Sequence, residues 1–325
     1  MYDIIVVGAG IAGLTAALYA SRQGMKTLVV SKDLGGQLLS ASEIQNYPGF
    51  ASIRGADLVR RVEEQARSFG AEILFDEVVE VGKRGEKFYV KTTTGEYECL
   101  SLILAFGKTP RNLGVPGEDR LRGRGVSYCA ICDGPLYRGR DVALVGWGKH
   151  GLEAALILKE FAGKLYWVFP GERPVSEGEL SAVLESENVV LMPRREVVEI
   201  KGEDRVRSLL VRRKDTGEVE EVEVDGVFIE AGYAIKTDFL RGFVELNERG
   251  EIVVDKECRT STAGVFAAGD VTDVPYKQAV ISAGQGAIAA LSACNYVARL
   301  KGERREFRAD WRHVPRAGRS GLSSS

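Results

Sequence analysis

Ile4-Ile5-Val6-Val7-Gly8-Ala9-Gly10-Ile11-Ala12-Gly13, near the start of a 325-residue chain, decides the fold. Four β-branched residues in a row read as a buried strand. The glycines at positions 8, 10 and 13 read as its turn into a helix. Gly8 permits the tight turn, Gly10 lets backbone approach a pyrophosphate, and Gly13 allows close helix packing, so that a ligand's charge meets the helix N-terminus. Ala9 and Ala12 are the small residues between them. Leu14 to Gln23 predicts the helix, closed by Gly24, and Thr27 to Val30 a second strand. Beyond that strand, Asp33 has the offset of an acid that accepts from a ribose hydroxyl, and Ser31 is the alternative partner. A solvated turn is the competing reading of Asp33.

The same unit recurs. Val142-Ala143-Leu144-Val145 leads into Gly146-Trp147-Gly148-Lys149-His150-Gly151, followed by a predicted helix from Leu152 to Phe161 and a strand from Leu165 to Phe169. Two loops so far apart make two domains and not a repeat array. Asn112 to Gly117 has linker composition, and Gly232 to Thr237 reads as a return crossing. The expected architecture is therefore α/β, with two Rossmann-like dinucleotide-binding domains, the second inserted into the first. Residues 1–112 and 237–325 make the first domain and 113–236 the second. Within 237–325, Gly264 to Asp270 reads as a strand ending in a turn and Lys277 to Leu300 as a long helix of small residues. Arg316 to Ser325 is a Gly/Ser-rich tail with no apolar period.

Composition limits the partners. A hydrophobic content of 45% supplies a core larger than one domain needs. A net charge of -2 gives no bulk electrostatic reason for nucleic acid or an acidic membrane, so a small molecule or a protein is expected. The first glycine loop begins at Gly8, which leaves no space for a secretory leader. Apolar runs such as Leu102 to Phe106 fall short of the roughly 20 residues that span a bilayer. A soluble, cytoplasmic protein is the expectation.

The chemistry is carried by Cys129-Ala130-Ile131-Cys132-Asp133, in the inserted part. Two residues between cysteines suit reversible oxidation or metal ligation. Zinc needs two further ligands, and His150, His313, Cys99, Cys258 and Cys294 show no ligand spacing, so a redox couple and no metal is expected. Asp133, next in sequence, is a candidate acid to manage the proton of a thiolate. Its competing reading is a turn former before Gly134-Pro135. Cys99, Cys258 and Cys294 read as small buried hydrophobes.

Together with Gly35-Gly36-Gln37-Leu38, Asn46-Tyr47-Pro48-Gly49, Ala105-Phe106-Gly107-Lys108-Thr109-Pro110-Arg111 and Gly269-Asp270, these motifs make a chain that resembles the low-molecular-weight thioredoxin reductases over about residues 1 to 300. The resemblance implies FAD in the first domain, contacted by Gly8, Ala9, Gly10, Ala12, Gly13, Gly36, Gln37, Asn46, Gly107, Gly269, Asp270, Gln278 and Ala279. Phe106 replaces the family's usual threonine. It implies that Cys132 faces the flavin, that Cys129 attacks the disulfide of a thioredoxin- or glutaredoxin-like protein, and that Asp133 protonates the departing thiolate. A homodimer, and an inserted domain that turns between a donor-facing and a partner-facing pose, are implied in the same way.

The donor stays open at this point. Gly146, Gly148 and Gly151 have the spacing to receive a second pyrophosphate. Yet the strand after them ends Phe169-Pro170-Gly171-Glu172-Arg173, without the basic cluster that holds a 2′-phosphate in NADPH-using members. Glu172 stands where a carboxylate favours the bare ribose of NADH. It would repel a 2′-phosphate by roughly 4 kcal/mol per charge pair at about 4 Å. Trp147 crowds the loop, and His150 is a further phosphate candidate or a solvated helix start. NADH, NADPH and a non-nicotinamide carrier such as a deazaflavin or ferredoxin are the three options. A dithiol oxidase passing electrons to oxygen, and a non-catalytic flavin redox sensor, are the alternative functions.

Overall fold

The structure, a computed structural model, describes residues 1–41 and 43–303; the glycine- and serine-rich tail lies outside them. The chain opens with β1 (Tyr2–Ala9), α1 (Ile11–Arg22), β2 (Thr27–Leu34), α2 (Gly55–Ser68), β3 (Glu72–Phe75), β4 (Val78–Arg84), β5 (Lys87–Thr92) and β6 (Glu96–Leu104). A first crossing carries β7 (Thr109–Pro110) to β8 (Val126–Ser127), α3 (Ala130–Asp133), β9 (Val142–Gly146), α4 (Gly148–Leu158), β10 (Leu165–Val168), α5 (Glu177–Leu184) and β11 (Val189–Met192). Then come β12 (Arg195–Lys201), β13 (Ser208–Arg213), β14 (Val219–Glu223), β15 (Gly226–Glu230), β16 (Tyr233–Ala234), β17 (Val265–Ala267) and α6 (Ala279–Leu300).

The first sheet has the order β3-β2-β1-β6-β5-β4, with β17 also on β6. β1, β2, β3, β6 and β17 run parallel, while β4 and β5 pair antiparallel. β6 serves two neighbours in turn. Its early residues pair with β5, and Leu102, Ile103 and Leu104 pair with β17. The returning chain thereby completes the sheet that the first residues began. The second sheet, order β11-β10-β9-β15-β8, is built wholly from the inserted stretch and is parallel throughout. Each sheet is buried on both faces, as parallel sheets require. The two crossings meet as a short ribbon, with Tyr233 opposite Pro110 and Ala234 opposite Thr109.

Helix starts differ from the sequence expectation for one reason. α1 begins at Ile11 and not Leu14, and α4 at Gly148 and not Leu152, because the glycine loops already wind as the first helical turn. α4 also stops at Leu158, before Phe161. The N–H groups of Glu160, Phe161 and Ala162 close irregular turns onto Ile157 and Leu158 instead. β2 runs to Leu34 instead of ending at Val30, since extra residues on β2 bring Leu34 opposite Ala9. α6 is long and apolar enough to cross a membrane by composition. Its small-residue face, however, packs against α1, where a Cβ on Gly286 would lie 2.2 Å from the Ala12 carbonyl oxygen.

Candidate active site

Cys129 and Cys132 form a disulfide, with Cα atoms 5.3 Å apart across the single turn of α3. The Cys132 N–H donates to the Cys129 Sγ at 3.2 Å, so backbone supports negative charge on Cys129 once the bond opens. Cys132 is exposed and Cys129 half-buried. Asp133 accepts from the Ser127 hydroxyl at 2.6 Å, and Ser127 accepts in turn from the Cys129 N–H at 3.1 Å. Burial raises the Asp133 carboxyl above its ordinary range, against the Ser127 hydrogen bond that lowers it. A carboxyl so placed is suited to hand over a proton beside the sulfurs. Cys99, Cys258 and Cys294 are unpaired and buried, each with its thiol pushed up to about 12 by desolvation. Among the described residues no cluster has the makings of a metal site.

Two carboxyls that sequence reasoning missed, Glu118 buried and Glu230 half-buried, organise the surroundings. Glu118 accepts from the N–H groups of Leu113 (3.1 Å) and Gly114 (2.7 Å) and from the Tyr128 hydroxyl (2.6 Å), tying the outgoing crossing to the residue before the disulfide. Glu230 ends the apolar run Val227-Phe228-Ile229, and its Oε1 lies 3.5 Å from the Ala130 N–H. Only the charged end of an otherwise apolar strand hints at it in the sequence.

The residues expected at the first nucleotide come together from distant segments. Gln37 donates to the Lys108 carbonyl at 2.9 Å and to Asp270 at 3.3 Å, and Asn46 donates to the Gln278 side chain at 3.1 Å. Asp270 also accepts from Ser282, and the Gly269 N–H donates to Gln285. Gly36, Gly107 and Gly269 all take left-handed φ, and Ala279 opens α6. At Gly8 (φ +106°) a Cβ would meet the Ala105 carbonyl at 2.5 Å, and at Gly13 the Gly8 carbonyl at 1.9 Å. At Gly10 a Cβ would meet nothing within 4 Å. The outer glycines are thus required by packing, while the middle one faces open space at a helix N-terminus. That is the cradle a pyrophosphate needs, and these residues fit a dinucleotide. Ser31 and Asp33 are not drawn into the cluster: on the longer β2 the Ser31 hydroxyl is spent on the Asp33 carbonyl at 2.6 Å and Asp33 is exposed.

The second loop is packed differently. A Cβ on Gly146 would lie 3.0 Å from the Glu230 Cβ, and one on Gly151 2.9 Å from the Gly146 carbonyl carbon. The Gly148 N–H donates to the Pro174 carbonyl at 2.8 Å, so the segment after β10 caps the start of α4. Around it, Glu172 pairs with Arg194 and Arg173 pairs with Glu177 at 2.8 Å. Both nearby guanidiniums already hold carboxylates. Arg194, at φ +55° after β11, is a neighbour that spacing along β10 does not reveal. Trp147 is half-exposed, and His150 sits in solvent 3.8 Å from Glu153.

This geometry agrees with what the chain is similar to. Residues 2–286 match the family described as pyridine nucleotide-disulphide oxidoreductase. Thioredoxin reductase of Treponema pallidum (strain Nichols) is 38% identical over 303 residues, covering 92% of this chain and 98% of that one. NADH dehydrogenase of Bacillus subtilis (strain 168) is 36% identical over 300 residues; the match takes in 92% of this chain but only 59% of that longer protein. The crystal structure of thioredoxin reductase from Streptococcus pyogenes MGAS5005 superposes with a TM-score of 0.89 at 34% identity, over 92% of this chain and 99% of that one. A disulfide within one turn, an open glycine cradle and near full-length likeness agree: the chain belongs to the pyridine nucleotide-disulphide oxidoreductases, a family of redox enzymes, and within it to the low-molecular-weight thioredoxin reductases.

Proposed function

We propose that the protein is a disulfide reductase that uses FAD, the Cys129–Cys132 couple and NADH to reduce a thioredoxin- or glutaredoxin-like protein. The observation that carries it is the disulfide held next to Asp133, whose carboxyl is raised above its ordinary range by burial. Gly8, Gly10, Gly13, Gln37, Asn46, Asp270 and Gln278 would hold FAD, which supplies the two electrons that open the disulfide. Cys129, supported by the Cys132 N–H, attacks the partner's disulfide. The partner sulfur that leaves takes its proton from Asp133, and Cys132 then closes onto Cys129 to release the reduced partner. Ser127 ties the Asp133 carboxyl to the backbone N–H of Cys129.

Support for NADH over NADPH is Glu172 in the segment after β10, together with the NADH named for the Bacillus subtilis relative. A second reading has a non-nicotinamide carrier as donor, and the Gly148–Pro174 cap favours it, because one N–H of the helix start is already occupied. Anaerobic bleaching of the flavin by NADH, NADPH and a reduced deazaflavin in parallel decides among them; bleaching by none of the three sinks the reductase reading. Cys132→Ser is expected to retain flavin and abolish partner reduction, and normal turnover in that variant overturns the assignment. Peroxide formation with a small dithiol and no partner protein would mark the oxidase instead. We also infer a homodimer, supported by exposed Val280 and Ile288 on α6 and tested by light scattering, and a cytoplasmic location, tested by cell fractionation.

A further inference from the structure

Glu230 has no part in the scheme above, yet its position couples it to the redox couple. It ends β15 level with Gly146, and its Oε1 lies 3.5 Å from the N–H of Ala130, the first residue between the two cysteines. Lys108 stands opposite, immediately before β7, with its ammonium 3.6 Å from the centre of the Tyr233 ring. Its carbonyl accepts from Gln37. The two residues occupy opposite banks of the crossing: Lys108 leaves the first sheet and Glu230 closes the second. The charged groups that bear on Glu230 are Lys108 from the outgoing crossing and Glu153 from α4. Tyr233, on β16 close by, donates its hydroxyl to the Tyr128 carbonyl at 2.8 Å. Burial pushes the Glu230 carboxyl up to about 7, against the Ala130 N–H and Lys108, which lower it. Burial likewise pulls the Lys108 ammonium down.

We propose that Glu230 is a positioning residue for the redox couple, its carboxyl sharing one proton with the thiols of reduced Cys129 and Cys132, and that Lys108 sets how tightly the proton is held. The reason is electrostatic. Opening the disulfide leaves sulfurs that become anionic unless protonated, and a second negative charge beside an ionised Glu230 is disfavoured. Near neutral pH the carboxyl and the thiols then titrate as one coupled system. The inference rests on Cys129–Cys132 being the working couple, but its test needs neither donor nor partner.

The full-length protein is reduced with dithiothreitol and desalted without oxygen. Its alkylation by iodoacetamide is followed from about pH 5.5 to 9, with mass spectrometry assigning the cysteine. Glu230→Gln keeps the volume and the acceptor and removes the charge. It is expected to lower the apparent thiol pKa by about one unit and to raise the rate at pH 7 roughly fivefold. Lys108→Met, by letting Glu230 keep its proton to higher pH, is expected to move the profile the same way and by less. Overlay of the Glu230→Gln and wild-type profiles, or opposite shifts of the two variants, overturns the proposal. Should Glu230→Gln fail to fold, Lys108→Met alone decides: a downward shift supports the proposal, and no shift or an upward one overturns it. Failure of the disulfide to open when the flavin is reduced would instead strike the functional reading, and a wild-type protein shows that directly.

Discussion

The two glycine loops share a spacing and differ in what their glycines are for. In the first, Gly8 and Gly13 are squeezed by backbone while Gly10 looks into open space at the head of α1. In the second, Gly148 has the same open Cβ direction, but its N–H is taken by Pro174, and Gly146 is pressed by Glu230. One loop keeps its helix start available; the other has spent part of it on its own chain. The same sequence signature therefore certifies a strand–turn–helix in both places, but the two helix starts are not equally open.

That contrast can be broken at its strongest point first. Gly13→Ala would force a Cβ to 1.9 Å from the Gly8 carbonyl, and it is expected to cost roughly 3 kcal/mol of stability and to yield colourless protein, as read by thermal unfolding and flavin absorbance. Gly151→Ala meets only a 2.9 Å approach, and the same two measurements should show a smaller loss, about 1 to 2 kcal/mol, with the flavin retained. Equal flavin loss in both variants would erase the distinction between the loops. Ionisation of Glu230 next to the second loop offers a gentler test. Its folded pKa, about 7 against an ordinary 4.5, means that the stabilising proton is fully present below the unfolded value and is lost as pH rises through 7. Glu230→Gln should therefore match wild type near pH 4 and exceed its stability by roughly 2 kcal/mol at pH 8 in urea titrations. The mildest change concerns the donor. Glu172→Arg frees Arg194 and adds a cation, and the ratio of flavin bleaching by NADPH to that by NADH should rise about tenfold. An unchanged ratio would place the discrimination elsewhere.

Gly10→Ala sharpens the contrast without disturbing the fold. With φ −73° and no atom within 4 Å of the added carbon, the variant should keep wild-type thermal stability as apoprotein within about 0.5 kcal/mol and yet hold flavin more weakly.

What could be read from residue order was whatever is local and repetitive. The run Ile4 to Val7, the glycine spacings and the Cys-Ala-Ile-Cys turn each fix their own geometry within a few residues, and the structure places both βαβ units and the disulfide there. Helix starts came out late because glycine was taken as a breaker, whereas an N-terminal glycine can serve as the first helical residue. Glu118, Glu230 and Arg194 escaped because their importance lies in partners far along the chain: Tyr128, Ala130 and Glu172. The Ser31 hydroxyl donates to a carbonyl two residues away, a contact that residue order alone does not show. Gln37, Asn46, Asp270 and Gln278 could be grouped only through resemblance, since no period links positions more than two hundred residues apart.

Burial of Cys99, Cys258 and Cys294 turns sulfur into a gauge of integrity. The sequence holds 5 cysteines, 3 of them sealed in the interior, so a native, reduced chain offers a thiol reagent only the remaining pair. A stoichiometry climbing from two toward five reports unfolding, and an oxidant meeting the intact molecule finds no stray thiol through which to cross-link it.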